Sequence, residues 1–147
     1  MDDLLRNKFV YALVRLRRTK LMSKYTDMDL TALFMLESLN KNHPEADQNV
    51  YLHELQDILH ISKAAISQIA NNLENKGYLF REINKGNRRK LTVTLTPEGR
   101  EAMRQAEIEF DKTLSEFFVL LGENDSREMV RLFIRFADIA EELQGKK

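Results

Sequence analysis

The stretch LHELQDILHISKAAISQIANNLENKGYLFREINKGNRRKLTVTLT, residues 52–96, decides how this chain folds. Leu52, Leu55, Ile58 and Leu59 recur at helical spacing, and His60-Ile61-Ser62 interrupts that face with a short turn. The Ser62 hydroxyl suits the free N–H groups at the start of a new helix, since its oxygen can accept from an amide two or three residues on. That second helix spans about Lys63 to Lys76, with Ile66, Ile69 and Leu73 inward and Gly77 marking its end. Beyond Gly77 the apolar period drops to two. Leu79, Arg81 and Ile83 alternate with Phe80 and Glu82, and Leu91, Val93 and Leu95 alternate with Thr92 and Thr94, which predicts paired strands.

Two short helices, a tight turn and a hairpin are the parts of a winged helix-turn-helix. The outward face of the second helix carries Lys63, Ala64, Ser67, Gln68, Asn71 and Asn75, side chains that are short or end in an amide and bear little net charge. An ordinary solvated helix face is richer in Glu and Lys. Gln and Asn can pair with adenine N6 and N7 at once, Ser bonds either way, and a small Ala permits close approach or touches a thymine methyl, so this face suits a DNA groove. Between the strands, Asn84-Lys85-Gly86-Asn87-Arg88-Arg89-Lys90 combines turn-forming Asn and Gly with four cations and no acid. A single Lys is enough to discourage edge pairing of a hairpin, so four cations at the tip point to a polyanion. The expected DNA-contacting set is Ser62, Lys63, Ala64, Ser67, Gln68, Asn71, Lys85, Asn87, Arg88, Arg89 and Lys90.

These residues resemble the MarR-type transcriptional regulators. The resemblance rests on Glu54-Leu55, on Ile61-Ser62-Lys63, on Leu73-Glu74-Asn75-Lys76-Gly77-Tyr78-Leu79 with Arg81, on Arg88-Arg89, and on Leu95-Thr96-Pro97-Glu98-Gly99. It covers the middle third of the chain closely and the flanking helices in length and pattern only. It implies a homodimer on an inverted-repeat operator, a repressor in that family's manner, with affinity tuned by a small phenolic or other aromatic effector. Two positions depart from the family. Its wing Arg is usually preceded, two residues earlier, by an Asp, whereas Asn87 stands before Arg89, so an ordering ion pair is replaced by a neutral partner. His60 stands where the family often has Gly or Asn, which leaves a backbone strain at the turn to be explained.

The chain of 147 residues is about one domain long and can bury a core without disulfides or metal. It has no cysteine, which excludes a disulfide scaffold, a Cys-based zinc site and thiol-oxidation sensing. No apolar run approaches membrane-spanning length, and Met1-Asp2-Asp3 is acidic where a signal peptide would be basic, so a cytoplasmic protein with no membrane partner is expected. Net charge is zero, from 23 cations and 23 acids, yet residues 60–100 hold eight Lys or Arg against three Asp or Glu. The positive field is therefore concentrated on the proposed groove-reading elements.

Residues 4–22, with Leu4, Leu5, Phe9, Val10, Leu13, Val14 and Leu16 and no Gly or Pro, predict a first helix, and Arg15, Arg17, Arg18 and Lys20 complement the dipole at its end. Thr26 and Asp29 look like a cap and an early acid opening a helix to about Leu39, with Leu30, Leu33, Phe34 and Leu36 inward. Asn40 to Asn49 reads as a surface loop, and Val50-Tyr51 as a short strand added to the wing sheet. Thr96-Pro97-Glu98 starts a long helix to Leu121 with the stripe Met103, Ala106, Phe110, Leu114, Phe117 and Leu121, ended by Gly122. Asn124 or Asp125 then caps a last helix carrying Met129, Leu132, Phe133, Phe136, Ala137 and Ala140. Such stripes exceed what one small domain can cover, and an interface between two copies built from Leu5, Phe9, Leu13, Phe110, Leu114, Phe117, Leu121, Phe133 and Phe136 is the economical solution.

The expected architecture is mainly α with a small β wing: a winged helix-turn-helix DNA-binding domain over 26–99 and a helical dimerisation region over 1–25 and 100–147. No enzyme is predicted, because the chain lacks a Gly-rich phosphate loop, a nucleophile elbow and paired carboxylates in a plausible pocket, and no cofactor is implied. His53 and His60 fall two turns apart with no acid suitably between them, so no metal site is predicted over the alternative of a His-dependent metal sensor. The main alternative is a helical protein–protein module that uses the winged domain to bind another protein.

Overall fold

Asp2 opens the first helix, α1 (Asp3–Arg17), its carboxylate accepting from the Leu4 amide at 2.9 Å. Apolar spacing alone carries this helix on to residue 22, but it stops at Arg17. The Thr19 hydroxyl and amide both donate to the Leu16 carbonyl, at 2.7 and 3.0 Å, and Lys20–Met22 form a separate 3-10 turn. A hydroxyl that satisfies a carbonyl of the preceding turn ends the helix where no Gly or Pro announces it. The computed structural model describes residues 2–22, 28–42, 50–84 and 86–145, and Thr26 lies outside them. The next helix, α2 (Leu30–Asn42), is capped by Asp29, whose carboxylate accepts from the Ala32 amide at 2.8 Å and whose carbonyl accepts from Leu33 at 3.0 Å. Asn40 and its two successors are thus helical rather than loop, and residues 43–49 lie outside the described part.

Ala32, Leu33, Met35, Leu36 and Leu39 bury one side of α2, whereas Phe34 is exposed, contrary to expectation. At 100° per residue Phe34 lies opposite Ala32, Leu36 and Leu39, so its apolar character does not take it inward. The chain continues through β1 (Val50–Tyr51), α3 (Leu52–Leu59), α4 (Lys63–Asn75), β2 (Leu79–Asn84) and β3 (Asn87–Leu95). The sheet order is β1-β3-β2 with β3 antiparallel to both neighbours, Val50 facing Val93 on one side and Leu79 facing Leu95 on the other. Because β3 is central, Thr92 and Thr94 are buried together with Val93 and Leu95 rather than turned to solvent.

Leu55, Ile66, Ala70, Leu73, Leu79, Val93 and Leu95 close one core with Met28, the buried side of α2, and Met103 and Ala106. The last two belong to α5 (Pro97–Leu121), so the first half of its apolar stripe serves the winged core, and the residues expected in self-association begin after it, at Phe110. Thr96 fixes the start of α5. Its hydroxyl oxygen accepts from the Gly99 amide at 3.0 Å and its O–H donates to the Gly77 carbonyl at 2.6 Å, while its own amide donates to the Tyr78 carbonyl at 3.0 Å. Gly99 is obligatory there, since a Cβ would stand 1.9 Å from the Tyr78 carbonyl oxygen.

Gly122, at φ 85°, ends α5, and α6 (Glu123–Gly145) begins at the next residue. The Gly122 carbonyl accepts from the Ser126 amide at 3.0 Å and the Ser126 hydroxyl at 2.6 Å, so glycine holds the cap position and Asn124 and Asp125 lie in the first helical turn. Both acids of that turn, Glu123 and Asp125, suit its positive dipole end. The chain divides into two compact units, Met1–Phe110 and Asp111–Lys147. That boundary reflects packing; the division at 26–99 expected from the sequence concerns which part performs which task.

Candidate nucleic-acid interface

The α3–α4 turn is made by a side chain that does not favour it. His60 has φ 53°, the only positive value at a non-glycine position among the described residues, and its amide still donates to the Gln56 carbonyl at 3.0 Å. The left-handed residue reverses the chain within a few positions, at a cost of roughly 1–2 kcal/mol for a residue with a Cβ. Ser62 then returns to extended backbone and caps α4, its hydroxyl oxygen accepting from the Ala65 amide at 3.1 Å.

Burial of Ile66, Ala70 and Leu73 fixes the rotation of α4 and hence which side faces out. Two rows of side chains, four residues apart, occupy the outer side: Lys63, Ser67, Asn71 and Asn75, beside Ala64, Gln68 and Asn72. Ser67 is half-buried and the others are exposed. Asn72 is absent from the set read from sequence, although its place four residues after Gln68 was signal enough. Asn71 is also more constrained than a free surface amide. The Arg81 guanidinium donates through Nε to Glu74 Oε2 at 2.9 Å and through Nη2 to Asn71 Oδ1. This fork ties β2 to α4, and neither the contact nor Glu74's part in it was visible in the sequence.

The wing differs from the expected loop. Asn84 pairs with Asn87, and the backbone of Asn87, Arg88, Arg89 and Lys90 belongs to β3. The register then jumps from Asn84 opposite Asn87 to Ile83 opposite Leu91. Arg88, Arg89 and Lys90 are therefore extra residues on β3, a backbone irregularity of the kind that bends a hairpin. Lys85 itself lies outside the described residues.

Of the expected self-association residues, Leu5, Phe9, Leu13, Phe117, Leu121, Phe133 and Phe136 are 40–63% exposed. Leu114 is half-buried, and Phe110 packs partly against the winged core, which reduces its share in any interface. Among the described residues α1 buries none, and α6 buries only Ser126. No described helix is long and apolar enough to cross a membrane, and no three His, Asp or Glu among the described residues gather to hold a metal ion.

A family model described as a winged helix DNA-binding domain matches residues 32–114, more than half of the chain. The chain belongs to the winged helix DNA-binding domain family. Solved structures of transcriptional regulators align with most of its length. A mutant MarR from E. coli complexed with operator DNA superposes at TM-score 0.70, with 18% identity over 92% of this chain and 96% of that one. The PcaV transcriptional regulator from Streptomyces coelicolor, complexed with its natural ligand, gives 0.70, with 18% identity over 92% and 91%. FabT from Streptococcus pneumoniae, complexed with DNA, gives 0.59, with 20% identity over 95% and 92%. No curated protein matches by sequence. The winged helix fold of this chain is that of the MarR-type regulators that its wing and wing-exit motifs resemble.

Proposed function

We propose that this winged helix protein is a sequence-specific, double-stranded DNA-binding transcriptional regulator, a repressor, that works in the cytoplasm as a homodimer. The observation that carries this is the outer side of α4, where Lys63, Ala64, Gln68, Asn71, Asn72 and Asn75 are exposed beside a half-buried Ser67, and the one acid of the helix, Glu74, is paired with Arg81. Helices facing only water seldom have that composition, and a major groove accepts it. Gln68, Ser67 and Asn71 read base edges. Ser62, Lys63, Lys85 and Asn87 hold phosphates, Ala64 allows the close approach, and Arg88, Arg89 and Lys90 bring charge to the backbone or the neighbouring minor groove. Residues 26–99 perform this task, and 1–25 with 100–147 join two copies.

An inverted-repeat operator follows, because two identical helices related by a two-fold axis read the same half-site on opposite strands. Relief by a small ligand is supported by the ligand-bound PcaV and by a MepR-like protein complexed with pseudoligands, which matches at TM-score 0.68 and 16% identity, and the aromatic character of that ligand is what the family resemblance adds. Fluorescence anisotropy on a selected duplex and on its scrambled counterpart tests the assignment. Gln68→Ala should lose roughly 1–3 kcal/mol on the selected duplex and little on the scrambled one, whereas Lys63→Ala should weaken both alike. Equal losses on both duplexes for Gln68→Ala would mean that α4 does not read sequence.

A further inference from the structure

Asn71 and Glu74 stand three residues apart on α4, so their side chains are neighbours on one helix face. Arg81 reaches across from β2 and engages both with one guanidinium edge, Nε to the Glu74 carboxylate and Nη2 to the Asn71 amide oxygen. The planar fork leaves little freedom. Once Glu74 fixes Nε at 2.9 Å, the position of the second donor is set as well. Arg has donors and no acceptor, so only the oxygen of the Asn71 amide can face it. The Nδ2 group must then point away from Arg81.

We infer that Arg81 is a positioning residue for sequence readout: held by Glu74, it fixes the Asn71 amide in one of its two flips, so that α4 presents Nδ2 to the DNA base. The inference rests on the proposed reading of α4 as the base-contacting helix. An unrestrained Asn has three staggered χ1 wells and two amide orientations, and only some of those states can make the contact. Fixing one in the free protein avoids dividing affinity by the competent fraction, which is about two- to sixfold for so small a set of states. It also rejects the base that would need the reversed amide. The device therefore acts at one base pair per half-site, unlike a general anchor of α4, whose loss would blur every position.

Arg81→Lys separates these cases. A lysine keeps the charge and can still pair with Glu74, but it lacks the second donor of the fork. Bound duplexes would be selected from a randomised pool with the wild type, Arg81→Lys, Asn71→Ala and the double variant, after thermal melting confirms that each folds. The expected result is that Arg81→Lys lowers base preference about threefold or more at the one position that Asn71→Ala also flattens, and that the double variant is no worse there than Asn71→Ala. Glu74→Ala, which removes the anchor and leaves Asn71 in place, should flatten the same position and serves should Arg81→Lys not fold. An unchanged profile in Arg81→Lys or Glu74→Ala, or a loss spread over all positions, would overturn the inference while leaving α4 as a reader. A wild type without any base preference would remove the reading of α4 itself, and the inference with it.

Discussion

Replacing Gly99 by alanine should be among the most damaging single-methyl additions available in this protein. The new Cβ would lie 1.9 Å from the Tyr78 carbonyl oxygen, 2.8 Å from its carbon and 2.9 Å from Leu95 Cδ1. Two of these three atoms are backbone and cannot swing aside. Ordinary contact begins near 3.4 Å, so α5 and the end of the α4–β2 turn must part by about 1.5 Å. Such a movement pulls on the Thr96 amide bond to the Tyr78 carbonyl and the Thr96 hydroxyl bond to the Gly77 carbonyl, at 3.0 and 2.6 Å. Overpacking of this kind costs about 1–3 kcal/mol. Two weakened hydrogen bonds add about 1 kcal/mol each. Against them stands the better helix propensity of alanine, about 1 kcal/mol. The net expectation is a destabilisation of about 3 kcal/mol, equivalent to a fall in Tm on the order of 10 °C for a chain of this size. Urea unfolding followed by circular dichroism, with both proteins at one concentration because the proposed dimerisation would be linked to folding, measures it. A midpoint equal to or above that of the wild type at unchanged slope would refute the close approach.

The opposite sign is expected at His60→Gly, where removing a Cβ from φ 53° should stabilise the fold by about 1 kcal/mol in the same experiment. Affinity for the selected duplex should fall on the order of a thousandfold between about 50 and 200 mM salt if two protomers neutralise roughly six to ten phosphates, and a nearly flat response in a titration would contradict the electrostatic part. At micromolar concentration sedimentation should show twice the 17.3 kDa of one chain, and Leu13→Asp with Phe133→Asp should return it to monomer. Dimeric behaviour of that double variant would place the interface elsewhere.

Much of this molecule is legible in its sequence because the deciding interactions are local. The spacing of Leu55, Ile66 and Leu73, the capping Ser62 and the period-two runs around Val93 act within a turn or a strand pair, and the elements they predict are present. What was misjudged depends on partners distant in sequence. Met103 and Ala106 continue an apolar stripe that looks uniform, and only the tertiary fold assigns them to the winged core and Phe117 and Leu121 to an exposed surface. The Arg81 fork joins residues ten positions apart through a strand and a helix, a contact that spacing cannot specify. In the wing, four cations around Gly86 read as a loop, because the register jump that carries Arg88, Arg89 and Lys90 into β3 is a property of the pairing and not of the residues. Helix ends failed for a different reason. Thr26 and Asp29, like Gly122 and Asn124, are both competent caps, and the preference for Asp and Asn agrees with the structure at Asp29 but not at Gly122.

The most direct measurement of the central claim is the selection of bound duplexes from a random pool by the wild-type protein. Two copies of α4 around a two-fold axis predict an enriched inverted repeat whose half-sites lie about 10 bp apart, centre to centre. Recovery of duplexes with no common sequence, or of a single unrepeated site, would contradict a dimer that reads DNA through this helix.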